Sequence, residues 1–172
     1  MTPLAALLGL YRGIERVFLW LAHAALLAMM AATALDALLR YLFTYPLNGV
    51  QELADEFFMP ALIYLAVAHI YGAGGHIRIT GTLELLPAAA QRILLLLSDL
   101  ATFLFFVAIT YGVTVRAIEA REFREYSSSP LDYLIWPSFA IVAIGSALMS
   151  LRVLAAIVTA RHPMAAAHDQ VE

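Results

Sequence analysis

The sequence predicts an all-α integral membrane protein with four transmembrane helices, and three observations carry that reading. Hydrophobic residues make up 63% of the chain and charged residues only 13%, and the mean hydropathy is +0.83. A soluble domain needs a more polar shell than this. The apolar residues also fall in blocks long enough to cross a bilayer, because ~20 residues rising ~1.5 Å each span a hydrocarbon core of ~30 Å. Four blocks meet that requirement, and little chain remains for a domain outside the membrane. Residues 1–172 therefore read as a single four-helix membrane domain.

The first block runs from about 17 to 39, with Arg12 and Arg16 before it and Arg40 after it. Ala32-Thr33-Ala34 has the form of a signal-peptide cleavage site, but the apolar stretch is long for a signal and three more blocks follow. The second helix is expected over 50–71. Its strongly apolar part, Phe57 to Tyr71, is short for a span, so Glu52, Asp55 and Glu56 fall in its first turns. Their i, i+3, i+4 spacing places them on one face, and carboxylates suit the positive end of the helix dipole. Pro60 lies inside the span, where it is tolerated if a neighbouring group satisfies the carbonyl it frees.

Gly72-Ala73-Gly74-Gly75 ends the second helix. Residues 76–86 mix His76, Arg78 and Glu84 with aliphatic side chains, which predicts a short interfacial segment between helices 2 and 3. Pro87 suits the start of the third helix, expected over 88–115. The charged stretch from Arg116 to Glu125 reads as a helical extension into water, with Arg121 and Glu125 paired at i, i+4. Ser129, Pro130 and Asp132 fit the N-cap, N1 and N3 positions of the fourth helix, expected over 131–158. A polar tail, 161–172, follows.

Arginine placement orients the chain with both termini in the cytoplasm. Arg12, Arg16, Arg78, Arg92, Arg152 and Arg161 then lie inside, and Arg40, Arg116, Arg121 and Arg124 outside. Trp20 and Tyr71 would mark the inner interface; Tyr41, Tyr45, Tyr133 and Trp136 would mark the outer one.

Composition and motifs also narrow the function. Cysteine is absent, which removes disulfides and thiolate chemistry. A net charge of −3 without a basic patch argues against nucleic acid as a partner, leaving the lipid bilayer as the first surroundings to consider. No metal-protease helix, phosphate loop or serine elbow is present, and the loops are short for building a pocket. Neither catalysis nor a cofactor is expected.

Ionisable groups at membrane depth are costly, so each calls for a role. Asp36 precedes Arg40 by four residues, the spacing of a local ion pair. Asp99 sits inside the third apolar block, with His23 and His69 at similar depth in the first and second. The expectation is that Asp99 faces the bundle and bonds one of these imidazoles. Two histidines on different helices also fit a haem-bearing anchor of a respiratory enzyme, the rival reading; a self-contained small transporter is a third. Small residues recur every four positions at Ala24, Ala28 and Ala32, at Ala143 and Ala147, and at Ser146 and Ser150, which promotes close helix packing. No internal repeat marks a complete transporter.

The connections between helices carry more specific information. Arg40-Tyr41-Leu42-Phe43, then Pro46-Leu47, then Glu52-Leu53, followed by Gly74-Gly75-His76-Ile77-Arg78-Ile79 and a proline-started helix bearing Asp99, resembles the small membrane subunit of TRAP transporters, the DctQ-like family. The resemblance spans roughly 17–161. It departs where Gln51 precedes Glu52 and where Thr80 follows the His-Ile-Arg-Ile string. The resemblance implies a bacterial inner-membrane uptake system for organic acids. In such a system a periplasmic binding protein delivers substrate to a sodium-coupled large membrane subunit. The small subunit pairs with that large subunit as a heterodimer, braces its scaffold, and contributes to transient docking of the binding protein. Arg40, Tyr41, Glu52, His76 and Arg78 take the family-motif positions, and Glu52, Asp55 and Glu56 become interface candidates.

Overall fold

The computed structural model describes residues 3–45, 47–73 and 87–159, and these fold into four long helices. They are α1 (Pro3–Phe43), α2 (Val50–Gly72), α3 (Ala88–Glu122) and α4 (Trp136–Thr159). Each contains a stretch long and apolar enough to cross a membrane. The chain is a multi-pass membrane protein. The predicted interfacial segment, with His76 and Arg78, and the tail 161–172 lie outside the described residues.

Two helices are longer than the apolar blocks alone suggested. α1 runs for 41 residues and α3 for 35, against a bilayer core that ~20 residues cross. The extra turns carry the flanking charges: Glu15 and Arg16 near the start of α1, and Arg116, Glu119 and Arg121 near the end of α3. α3 ends in a Schellman arrangement. Arg124 takes a left-handed φ of 48°, its N–H reaches Arg121 O, and the Glu125 N–H reaches Ala120 O.

The expected cap of the fourth helix does not form. α4 starts at Trp136, and Ser129, Pro130 and Asp132 instead build a turn in the preceding loop. Asp132 N–H bonds Ser129 O, and the Ser129 hydroxyl accepts from Leu131 N–H. A serine side chain that bonds a backbone N–H two residues on stabilises such a turn as readily as a helix start. The loop is pinned by Ser127 N–H to Tyr133 O and Ile135 N–H to Glu125 O. It lies against Gly49, where φ is 91° and a Cβ would meet Leu131 at 2.6 Å.

The helices lie in the order α1–α2–α4–α3, with α2 and α4 at the centre. α4 approaches α2 closely at Gly145, where a Cβ would come within 2.3 Å of Tyr64 O. One core cluster joins α1 to α2 through Ala22, Ala61, Leu65 and Ala66. A second joins α2 to α4 through Ala68, Tyr71, Met149 and Val153. The serines of the α4 stripe are buried, and Ser146 accepts from the Thr110 hydroxyl of α3. The outer helices are barely covered: only 6% of the apolar window of α1, and the same of α3, is buried.

Candidate functional site

At the start of α2 the helix widens. Met59 N–H bonds Ala54 O, an i to i−5 step, and residues Ala54–Phe58 form a π-helical turn. Pro60 is the physical reason. It has no N–H for the carbonyl of Glu56 four residues back, and its ring presses on that carbonyl. The Ser138 hydroxyl, from α4, donates to Glu56 O and replaces the missing bond. The wide turn changes what the acidic residues face. Glu52 and Asp55 are exposed, whereas Glu56 is half-buried with its Oε2 sealed from solvent. The three do not share one face as ideal helical spacing predicted.

Glu56 lies beside Tyr133 of the α3–α4 loop, whose hydroxyl is also buried without a well-formed hydrogen bond. Burial of that hydroxyl raises Tyr133 above the ordinary tyrosine value; the nearby Ser127 hydroxyl works against this, and Glu56 adds to it. Phe57 meets the Tyr133 ring edge-on at 5.3 Å. Tyr133 thus packs against the start of α2.

Near the same end of the molecule, Asp36 holds the α1–α2 connection. Its Oδ2 accepts from Arg40 Nη2 at 2.8 Å, the spaced ion pair. Its Oδ1 accepts from the backbone N–H of Leu47 at 2.7 Å, eleven residues away. The chain leaves α1 at Thr44 with φ 54°, and the second bond fixes where it returns. Arg40 and Tyr41 are exposed, with Tyr41 at 87%.

The membrane-depth polar groups are arranged differently from expectation. Asp99 is buried and takes a hydrogen bond from the Tyr71 hydroxyl at 3.0 Å, joining α3 to α2. Tyr71 is itself 2% exposed, so it serves as a donor inside the bundle instead of an interface marker. His23 faces outward, with Nδ1 on Leu19 O at 2.7 Å and its ring 6.0 Å from Trp20. His69 lines a cavity of about 240 Å³ with Glu15, Arg16, Gly72, Ala73 and Arg152. The pairing of Asp99 with an imidazole gives way to tyrosine because His23 is turned from the bundle and His69 toward α1.

That cavity contains residues the sequence reading did not single out. Glu15 is only 5% exposed and meets Arg152 Nη1 at 3.5 Å. Arg152 lies over the Tyr11 ring, and the Tyr11 hydroxyl donates to Leu148 O at 2.7 Å. Gly72 makes room, since a Cβ there would meet the guanidinium at 2.3 Å. The available signal was an arginine inside the fourth apolar block with a glutamate at the edge of the first. These contacts also bring the N-terminal part of α1 and the C-terminal part of α4 to one end of the bundle.

A family model described as "Tripartite ATP-independent periplasmic transporters, DctQ component" matches residues 29–162. The chain belongs to the DctQ family. The match covers Asp36, Arg40, the acidic start of α2, the Tyr71–Asp99 pair and Ser138, and begins after Glu15. No curated protein matches this DctQ component. Its function is accordingly that of a component of a tripartite transporter, with no catalytic role implied by the family.

Proposed function

We propose that this DctQ component is the bracing membrane subunit of a sodium-coupled organic-acid uptake system in the bacterial inner membrane. It lies against the scaffold of a larger transport subunit, with both termini in the cytoplasm. Its exposed Glu52 and Asp55 face the periplasm, where they contribute to docking of the substrate-binding protein. Family membership supports the setting. The observation that carries the bracing role is the open face of α1. Leu27, Met30, Leu35 and Leu38 are each at least 50% exposed, and Ala24 and Ala28 also face outward. Small residues at four-residue spacing let a second membrane helix approach closely.

The charge distribution agrees with a supporting role. Three buried polar contacts join one helix to another: Tyr71 to Asp99, Ser138 to Glu56 and Arg152 to Glu15. Among the described residues, the break in helix geometry lies at the α2 start and is sealed by Ser138, unlike the paired broken helices of a transport site.

Because the chain lacks cysteine, single cysteines can map the face directly. Leu35→Cys or Leu38→Cys should cross-link to the co-expressed large membrane subunit in intact membranes, and Ala22→Cys, buried at 1% exposure, should not. Cross-linking of Leu35→Cys only to a second copy of this chain would overturn the assignment.

A further inference from the structure

The outer side of the α3–α4 pair carries an apolar groove of about 410 Å³. Its floor is made of alanines, Ala117, Ala140, Ala143 and Ala147, and its mouth is formed by Trp136 and Arg121. Arg121 was expected to pair with Glu125, but Glu125 is taken by Arg116 through two bonds, of 2.8 and 3.1 Å. Arg121 instead stacks over Trp136 at 5.6 Å and has no ion pair among the described residues. An uncompensated guanidinium therefore stands at the mouth of an apolar trough.

Length and charge together point to the occupant. From Thr110 to Arg121 the groove follows α3 for ~16 Å, at ~1.5 Å per residue. That is the depth of one leaflet, half of a ~30 Å hydrocarbon core. An apolar trough of this length matches an extended hydrocarbon chain lying along one leaflet, and the free cation at its end suits an anionic headgroup. Trp136 and Arg121 occupy the level where tryptophan and snorkelling arginine meet lipid headgroups.

We infer that this groove is a specific binding site for an anionic phospholipid, with one acyl chain along the alanine floor and the phosphate on Arg121. The site is built by this chain alone and does not depend on the bracing role. Ala140 and Ala143 keep the floor open; a larger side chain at either would fill it.

Trp136 reports occupancy once Trp20, the other tryptophan, is replaced by phenylalanine. The full chain would be reconstituted in phosphatidylcholine bilayers and titrated with phosphatidylglycerol carrying brominated acyl chains. Quenching of Trp136 should saturate at a low mole fraction, while brominated phosphatidylcholine quenches only in proportion to its amount. Arg121→Gln should raise the half-saturating fraction at least fivefold, and Ala143→Leu should remove the saturable phase. Arg116→Gln, whose charge is already engaged, should leave the midpoint within twofold, which separates a specific contact from general loss of positive charge. Circular dichroism would verify that each variant is folded. Equal quenching by both lipids, or an unchanged midpoint in Arg121→Gln, would reduce the groove to ordinary bilayer contact and overturn the site. A photoreactive residue at Ile144, used with the co-expressed large subunit, provides a second readout. A lipid-mass adduct supports the inference, and a polypeptide adduct contradicts it.

Discussion

Asp36 shows how one carboxylate can do two unequal jobs. Its bond to Arg40 is exposed on the arginine side, and exposed ion pairs contribute about 0–1 kcal/mol. Its bond to the Leu47 N–H closes the α1–α2 turn, and a charge-assisted bond of this kind is worth about 1.5–3 kcal/mol. Asp36→Ala should therefore lower the unfolding temperature in detergent clearly more than Arg40→Ala does; equal losses would mean that the ion pair, not the turn latch, carries the stability. The spacing of Asp36 and Arg40 was legible in the sequence because helical neighbours are local. The Leu47 bond was not, because it depends on where the chain re-enters after Thr44. Tyr133 offers a pH test at the same scale. Its folded pKa is raised by burial and by Glu56, so its contribution to stability is complete below pH ~10 and is lost as pH rises through the folded value. Spectrophotometric titration of the wild type against Tyr133→Phe should show the Tyr133 phenolate appearing above the ordinary tyrosine range.

At the scale of the element, α2 is governed by Pro60. The sequence indicated that a neighbour must satisfy the carbonyl that this proline frees, but could not name Ser138, which lies 82 residues away in the chain. It also could not reveal the wide turn at Ala54–Phe58, which separates Glu56 from Glu52 and Asp55. A double-mutant cycle tests the relation. Ser138→Ala should cost about 1–3 kcal/mol in the wild type, where it leaves a buried carbonyl unmet. It should cost measurably less in a Pro60→Ala background, where residue 60 regains an N–H for Glu56 O. Equal costs in both backgrounds would separate Ser138 from the proline. The start of α4 was misread for a related reason: Ser129 and Asp132 carry turn chemistry and cap chemistry alike, and the choice was made by packing of the loop on Gly49.

For the whole molecule, the four helices were readable from hydropathy because each had to meet the same bilayer thickness, whatever its neighbours. Their order, α1–α2–α4–α3, was not, since apolar faces of similar composition do not specify which helix they meet. The close approach at Gly145 and the Tyr71–Asp99 bond supply that specificity. The candidate residues divide along the same line: Asp36, paired with Arg40, secures a turn, Glu52 and Asp55 are exposed, and Glu56 is folded inward. The outer helices keep most of their apolar windows uncovered, which in this family fits a chain built to be one part of an assembly. The most direct test is co-purification in mild detergent of the full chain, tagged, with its neighbouring large membrane subunit co-expressed untagged. A stable one-to-one complex, whose recovery falls when bulky polar residues replace Leu35 and Leu38, is the expected result. Recovery of this chain alone, as a monomer or homo-oligomer that transports solute without the large subunit, would contradict the bracing role.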